Sequence, residues 1–267
     1  MTEGILTAPA TDAVRSPGLG ASDLGRAFEL KFRLSAAEAQ DVEAWARGQL
    51  TPDPHGQDGR YRVTSVYCDT PYLDVFHRSR GYRRNKFRLR RYGSSEQVFL
   101  ERKTRRGDRV TKRRIEVPAH QLNVLNEADP SLDWVGFWFL QRVRQRDLQP
   151  NCQVAYWRTA FFGMVDGMPV RLTLDRELIG TPLSGWNVPH LDDGQALLPG
   201  GALLEMKFHI HMPKLFQDLL PRLPIQEARV SKYRRCVELC GLQAATPTLA
   251  LPTAASANVA LREARAQ

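Results

Sequence analysis

Lysine and arginine recur at every second position in one stretch of this chain after another, with apolar residues between them. Residues 28–34 read FELKFRL, which puts Glu29, Lys31 and Arg33 on one parity and Phe28, Leu30, Phe32 and Leu34 on the other. Residues 86–92 read KFRLRRY, gathering Lys86, Arg88 and Arg90 opposite Phe87 and Leu89. The same parity groups Glu101 with Lys103, Lys112 with Arg114 and Glu116, Arg171 with Asp175, and Glu205 with Lys207, and adds Arg158. Successive side chains of an extended strand point to opposite faces, so each set shares a face. Like charges beside each other on a sheet repel, and a face this cationic is costly without an anion on it. For one strand a solvated outer face is the ordinary reading. Across six strands of matched parity, a common anion site is the better one.

Three of these sets open with Glu-x-Lys: Glu29 and Lys31, Glu101 and Lys103, Glu205 and Lys207. The spacing sets a hard oxygen ligand beside an ammonium on one face. That is the donor pair needed by a polyphosphate carrying Mg²⁺ or Mn²⁺. Weaker signals surround it. His209 and His211 form a strand-end pair of a kind that is more often structural than metal-binding. Asp69, in YCDTP, reads as shaping the turn before Pro71. Asp175 shares the Arg171 face and would orient that guanidinium or bind metal directly. Arg83 and Arg84, just ahead of a basic strand, either extend a basic mouth or are surface cations.

Period-2 patterning predicts eight strands to hold these residues, at 28–34, 60–69, 86–92, 97–104, 110–117, 153–162, 169–176 and 202–210. Helical patterning falls at 35–49 behind a Ser N-cap, and at 133–147, 212–220 and 231–239. Gly-, Pro- and Asp-rich loops lie at 51–59, 92–96 and 181–201. Trp134, Phe137, Trp138 and Leu140 read as a helix face packed on the strands. The expected fold class is α+β, mainly β: an antiparallel sheet with peripheral helices. Residues 25–243 form the expected domain, between disordered tails at 1–24 and 244–267.

At 267 residues and 42% hydrophobic, the chain can bury one sizeable core. A formal charge of +9 permits nucleic acid, an anionic membrane or a polyanionic small molecule as partner. No apolar run approaches the roughly 20 residues of a spanning helix, so no membrane span is expected. No secretory segment is evident either, so the expected location is cytoplasmic. Cys68, Cys152, Cys236 and Cys240 lack paired spacing and read as buried thiols. A nucleic-acid surface would interleave exposed aromatics with its cations. Here Phe28, Phe32, Phe87 and Phe208 fall on the apolar parity, so no nucleic acid is expected.

The order RAFELKFRL, VYCDTP, KFRLRRYG, FLERKTRRGDRVTKRR, YWRTAF, VRLTLD, LLEMKF, SKYRRC resembles the VTC polyphosphate-polymerase domain. That domain belongs to the triphosphate tunnel metalloenzymes, relatives of the CYTH domains, and the similarity spans about residues 26–241. Each motif alone is weak; eight in family order are specific. The resemblance implies an eight-stranded antiparallel β-tunnel whose lumen binds ATP, triphosphate or polyphosphate, with Mn²⁺ or Mg²⁺ near one mouth. Lys31, Arg88, Arg90, Lys103, Lys112, Arg114, Arg158, Arg171, Lys207 and Lys232 would be phosphate ligands. Of these, Arg88, Arg90, Lys103, Arg158 and Lys207 would act in catalysis. Glu205 would hold the metal, joined by Glu29 or Glu101. The implied reaction transfers the γ-phosphoryl group of ATP to a growing polyphosphate. A tripolyphosphatase or nucleoside triphosphatase would use the same tunnel with water as acceptor, and a non-catalytic polyphosphate-binding module would keep the cations alone. Many CYTH relatives begin with ExExK; Ala27 stands in place of its first Glu, which favours the VTC branch.

Overall fold

The computed structural model describes residues 27–107, 109–223 and 230–245. Of the two expected tails, only residues 244 and 245 fall inside it, in a 3₁₀ turn at Leu242–Ala245. The rest of both tails lies outside the described residues.

In chain order the elements are β1 Phe28–Ser35, α1 Ala36–Gln49, β2 Thr51–Pro52, β3 Arg60–Asp69, α2 Asp74–His77, β4 Asn85–Tyr92, β5 Gln97–Arg106, β6 Arg109–Pro118, α3 Phe137–Arg144, β7 Gln149–Val165, β8 Met168–Pro182, β9 Gln195–Ala196, β10 Gly201–Phe208, α4 Lys214–Leu219 and α5 Lys232–Leu239. All eight expected strands are present. The two-residue strands β2 and β9, the short α2 and a 3₁₀ helix at Ala119–Asn126 carry no sequence pattern long enough to have shown them. The sheet runs β1-β10-β8-β7-β3-β4-β5-β6. Each of these pairings is antiparallel. It curls until its two ends meet at one bridge pair, Ala27 opposite Val110, rather than along a full ladder. An ion pair spans the same gap, from Lys103 of β5 to Glu29 of β1.

The apolar parity faces outward under two coats of helix. α1 starts in a capping box, where the Ser35 hydroxyl accepts from the Glu38 N–H and the Glu38 carboxylate from the Ser35 N–H. It lays Ala39, Val42 and Ala46 on Phe32, Leu34, Leu172 and Leu204, and α4 adds Phe216 and Leu219. The second coat buries Phe139, Leu140 and Val143 of α3 against Phe87, Leu89, Val98 and Leu100. The α3 face therefore centres on Phe139 rather than on the expected Phe137, which is only half-buried. Trp134 and Trp138 pack at its edge. The segment FWFL is apolar all round, so periodicity alone leaves its inward side undefined. All four cysteines are free, and Cys236 Sγ lies 3.8 Å from Cys240 Sγ. No helix among the described residues is long and apolar enough to cross a membrane.

Asp69 does more than shape its turn. It is buried, and it accepts from the backbone N–H of Thr70 (2.7 Å), Val75 (2.8 Å) and Phe76 (2.9 Å) and from the Tyr233 hydroxyl of α5. It thus satisfies first-turn donors of α2 and ties α5 to the end of β3. Asp69→Ala orphans these donors and should cost about 3 kcal/mol, read as a lowered thermal midpoint. An unchanged midpoint would contradict this anchoring role.

Candidate active site in the tunnel lumen

Strand register assembles the basic parity sets into one lumen. Glu29 and Lys31 of β1 lie opposite Lys207 and Glu205 of β10. Those two lie opposite Arg171 and Thr173 of β8, and Arg158 of β7 opposite Asp175. Tyr61 of β3 pairs with Arg158, while Ser65 and Tyr67 face Arg90 and Arg88 of β4. Next come Lys86 and Arg88 opposite Lys103 and Glu101 of β5, then Lys112 and Arg114 of β6. Lys232 enters from the first turn of α5.

Carboxylates thread this cationic surface. Lys31 Nζ lies 2.7 Å from both Glu29 Oε1 and Glu205 Oε1. Lys232 Nζ bridges Asp175 Oδ2 (2.6 Å) and Glu205 Oε1 (3.3 Å). Arg158 grips Asp175 with two hydrogen bonds of 2.7 and 2.8 Å and approaches Glu205 at 3.8 Å. Glu29 also meets Lys103 at 3.1 Å and Lys207 at 3.7 Å. Glu29, Glu205 and Asp175 therefore share one chain of ion pairs. Glu101 stands apart from it, held by Arg88 Nε at 2.7 Å and Lys112 Nζ at 3.6 Å. Asp175 does not orient Arg171, because the register sets Arg158 directly across from it. Arg171 instead binds Asp53 Oδ2 (2.8 Å) and the Tyr61 hydroxyl (3.0 Å). Arg114 lies over the Phe99 ring, 4.6 Å from its centroid.

Among the described lumen residues, two cations have only neutral hydrogen-bond partners. Buried Arg90 donates to Ser65 Oγ (2.9 Å) and the Tyr156 hydroxyl (3.3 Å). Lys86 donates to Ser231 Oγ at 2.7 Å. Lys86 carries the parity of Arg88 and Arg90 and is the cation that the motif-based set omits. Ser65, Tyr156 and Asp53 gave no signal, since nothing local marks a hydroxyl or loop carboxylate as a lumen group.

Burial disfavours ionisation of Glu205, but Lys232, Lys31, Lys207 and Arg158 outweigh it and hold its carboxyl well below the usual range. Burial likewise opposes Glu101, yet Arg88, Arg90 and Lys112 keep it strongly ionised. The lysines divide. Burial, with repulsion from Lys31, Arg234 and Arg88, pushes Lys86 down to about 8. For Lys31 the attraction of Glu205 and Glu29 overcomes burial and raises it. Because the unfolded Lys86 titrates near its ordinary 10.5, this group makes the free protein gain stability as pH rises from about 8 towards 10.5. A polyanion in the lumen would restore the ammonium. Tripolyphosphate binding at pH 9 should therefore take up more protons in the wild type than in Lys86→Met, by up to about one. Calorimetry in buffers of differing ionisation enthalpy reads the difference, and equal uptake would contradict it.

The residues fit a divalent cation that relies on its substrate. Among the described residues no group of three or more His, Cys, Asp or Glu gathers at metal-binding distance. His209 and His211 belong to no such group. Glu29 and Glu205 nevertheless converge on one ammonium, and the Thr173 hydroxyl, opposite Glu205, is buried without a partner. One or two carboxylates completed by phosphate oxygens and water is the set that Mg²⁺ takes with nucleotides.

The family model described as the VTC domain matches residues 26–240. No curated protein matches the sequence. Among solved structures, the PH1819 protein of Pyrococcus horikoshii is similar at 15% identity and a TM-score of 0.45, covering 79% of this chain and 99% of that one. HpAC1 from Hippeastrum, described as a candidate adenylyl cyclase with a dominant triphosphatase activity, is 14% identical with a TM-score of 0.44, covering 85% and 99%. A candidate adenylate cyclase of Bacillus halodurans is 10% identical with a TM-score of 0.46, covering 78% and 94%.

Proposed function

The chain belongs to the VTC domain family, a triphosphate-tunnel family that handles phosphoryl groups, and from that premise we propose that it is a metal-dependent polyphosphate polymerase. It would transfer the γ-phosphoryl group of ATP to the end of a growing polyphosphate. The observation that carries this reading is the lumen itself, where five arginines and a ring of lysines from seven strands and α5 face one channel.

Phosphoryl transfer asks a protein for alignment and charge neutralisation rather than covalent chemistry. Arg88, Arg90, Arg158 and Arg171 present planar donor forks suited to non-bridging phosphate oxygens. Lys31, Lys103, Lys112, Lys207 and Lys232 supply point charges along the chain. Glu205 and Glu29 would hold Mg²⁺ or Mn²⁺, which would supply positive charge to neutralise the phosphate oxygens. Glu101, fixed between Arg88 and Lys112, would position Arg88.

A commitment of the carboxylates favours a phosphate acceptor over water. Glu29, Glu101, Asp175 and Glu205 are each ion-paired and kept ionised below the ordinary carboxylate range, which makes them poor bases. A terminal phosphate oxygen arrives already ionised and needs no base. Phosphorus NMR of the protein with Mg²⁺ and ATP tests the reading. Growth of mid-chain phosphate signals alongside ADP supports a polymerase. Orthophosphate release without chain growth would replace it with a hydrolase.

A further inference from the structure

A cavity of about 400 Å³ opens where β4 begins and β5 ends, lined by Arg80, Arg83, Arg84, Arg102 and Arg106 and, among the described residues, by no carboxylate. It lies outside the tunnel. Arg102 pairs with Phe87, which packs on Phe139 of α3 in the outer coat, whereas Lys86 and Lys103 occupy the lumen parity of the same two strands. The cavity and the lysine end of the lumen are thus opposite faces of one ladder.

Its electrostatics differ from those of the lumen. Inside the tunnel most cations meet a carboxylate, Arg90, Lys86 and Arg114 being the exceptions among the described residues. Here none of the five arginine side chains has a hydrogen bond or ion pair with a described residue, and Arg102 Nε is buried without a partner. Burial depresses the Arg102 guanidinium, and Arg113, Arg142 and Arg146 repel it further. The bearing loop is nonetheless fixed. Arg146 donates to the Gly81 carbonyl at 3.0 and 2.9 Å, and the Tyr82 hydroxyl donates to the Arg146 carbonyl. Like charges held together by the fold, with an unmet donor among them, define an anion site. No aromatic among the described residues lines the cavity for base stacking, which favours a bare phosphate chain over a nucleic acid.

We propose that this cavity is a second phosphate-chain site, holding the run of polyphosphate that lies outside the lysine end of the tunnel. The identity of the chain rests on the tunnel reading above; the anion site itself does not. The test compares long-chain polyphosphate and tripolyphosphate binding to the wild type, to an R83S/R84S/R102Q variant and to the lumen variant R90M. The outer variant should bind long chains at least roughly tenfold more weakly, with a shallower salt dependence, while keeping wild-type tripolyphosphate affinity and thermal midpoint. R90M should lose tripolyphosphate yet retain long-chain binding that the three outer substitutions then remove. Unchanged long-chain affinity in the outer variant, or none left in R90M, would overturn the proposal. So would equal affinity of the same three arginines for a single-stranded oligonucleotide. Arginine-dependent long-chain binding in a protein that ignores tripolyphosphate would uphold this site and sink the tunnel reading instead.

Discussion

Arg90→Met should lower turnover by about 10²–10³-fold or more, while the thermal midpoint of the free protein moves little. The two effects part because of what Arg90 touches. Its guanidinium is buried against two neutral hydroxyls, with Arg88 repelling it and Glu101 attracting it without a direct contact. In the free protein it is a charge kept out of water without direct carboxylate pairing and attracted by Glu101 only at longer range, so its removal should shift stability far less than removal of Arg88. With a phosphate chain present it becomes a fully desolvated donor fork. Methionine fills similar volume and removes the charge alone. Arg88→Ala should behave differently, because it strips the guanidinium from fully buried Glu101 and should destabilise the fold. Steady-state assays beside thermal unfolding separate the cases. A large drop in the Arg90→Met midpoint would mean that this arginine is structural.

Glu205→Gln should remove most of the activation by divalent metal and lower turnover by about 10²-fold or more. Glu205 joins Lys31 to Lys232, so neutralising it also weakens a buried network, at a cost of about 3 kcal/mol. The fold should survive, since Lys31 keeps Glu29 and Lys232 keeps Asp175. Without metal, tripolyphosphate should bind the variant at least as tightly as the wild type, because a negative charge has left the lumen. This opposite effect on metal-free binding distinguishes a metal ligand from a residue that simply maintains the tunnel. An unchanged Mg²⁺ titration would contradict the assignment.

The eight strands and their inward faces were legible because an antiparallel strand writes its environment into a period of two. FELKFRL and KFRLRRY state both which side is coated and which side is charged. The pairing of charges was not legible. Arg171 finds Asp53, 118 positions away in a loop of TPDP character, and Arg90 finds Tyr156 on a strand two places along the sheet. Such partners follow from strand order and shear, which no local pattern carries. The parity sets alone suggest a strip of mutual repulsion. Glu29, Glu101, Asp175 and Glu205 break that strip into ion pairs and leave Arg90 and Lys86 with neutral partners.

Whether a phosphate chain occupies the lumen is decided by a crystal structure with tripolyphosphate and Mg²⁺. The chain should lie inside the tunnel, with oxygens on the Arg90 fork and on Arg88 and Arg158, and Lys31 should be displaced from between Glu29 and Glu205. A chain bound only on the outer wall, with every lumen ion pair intact, would contradict it.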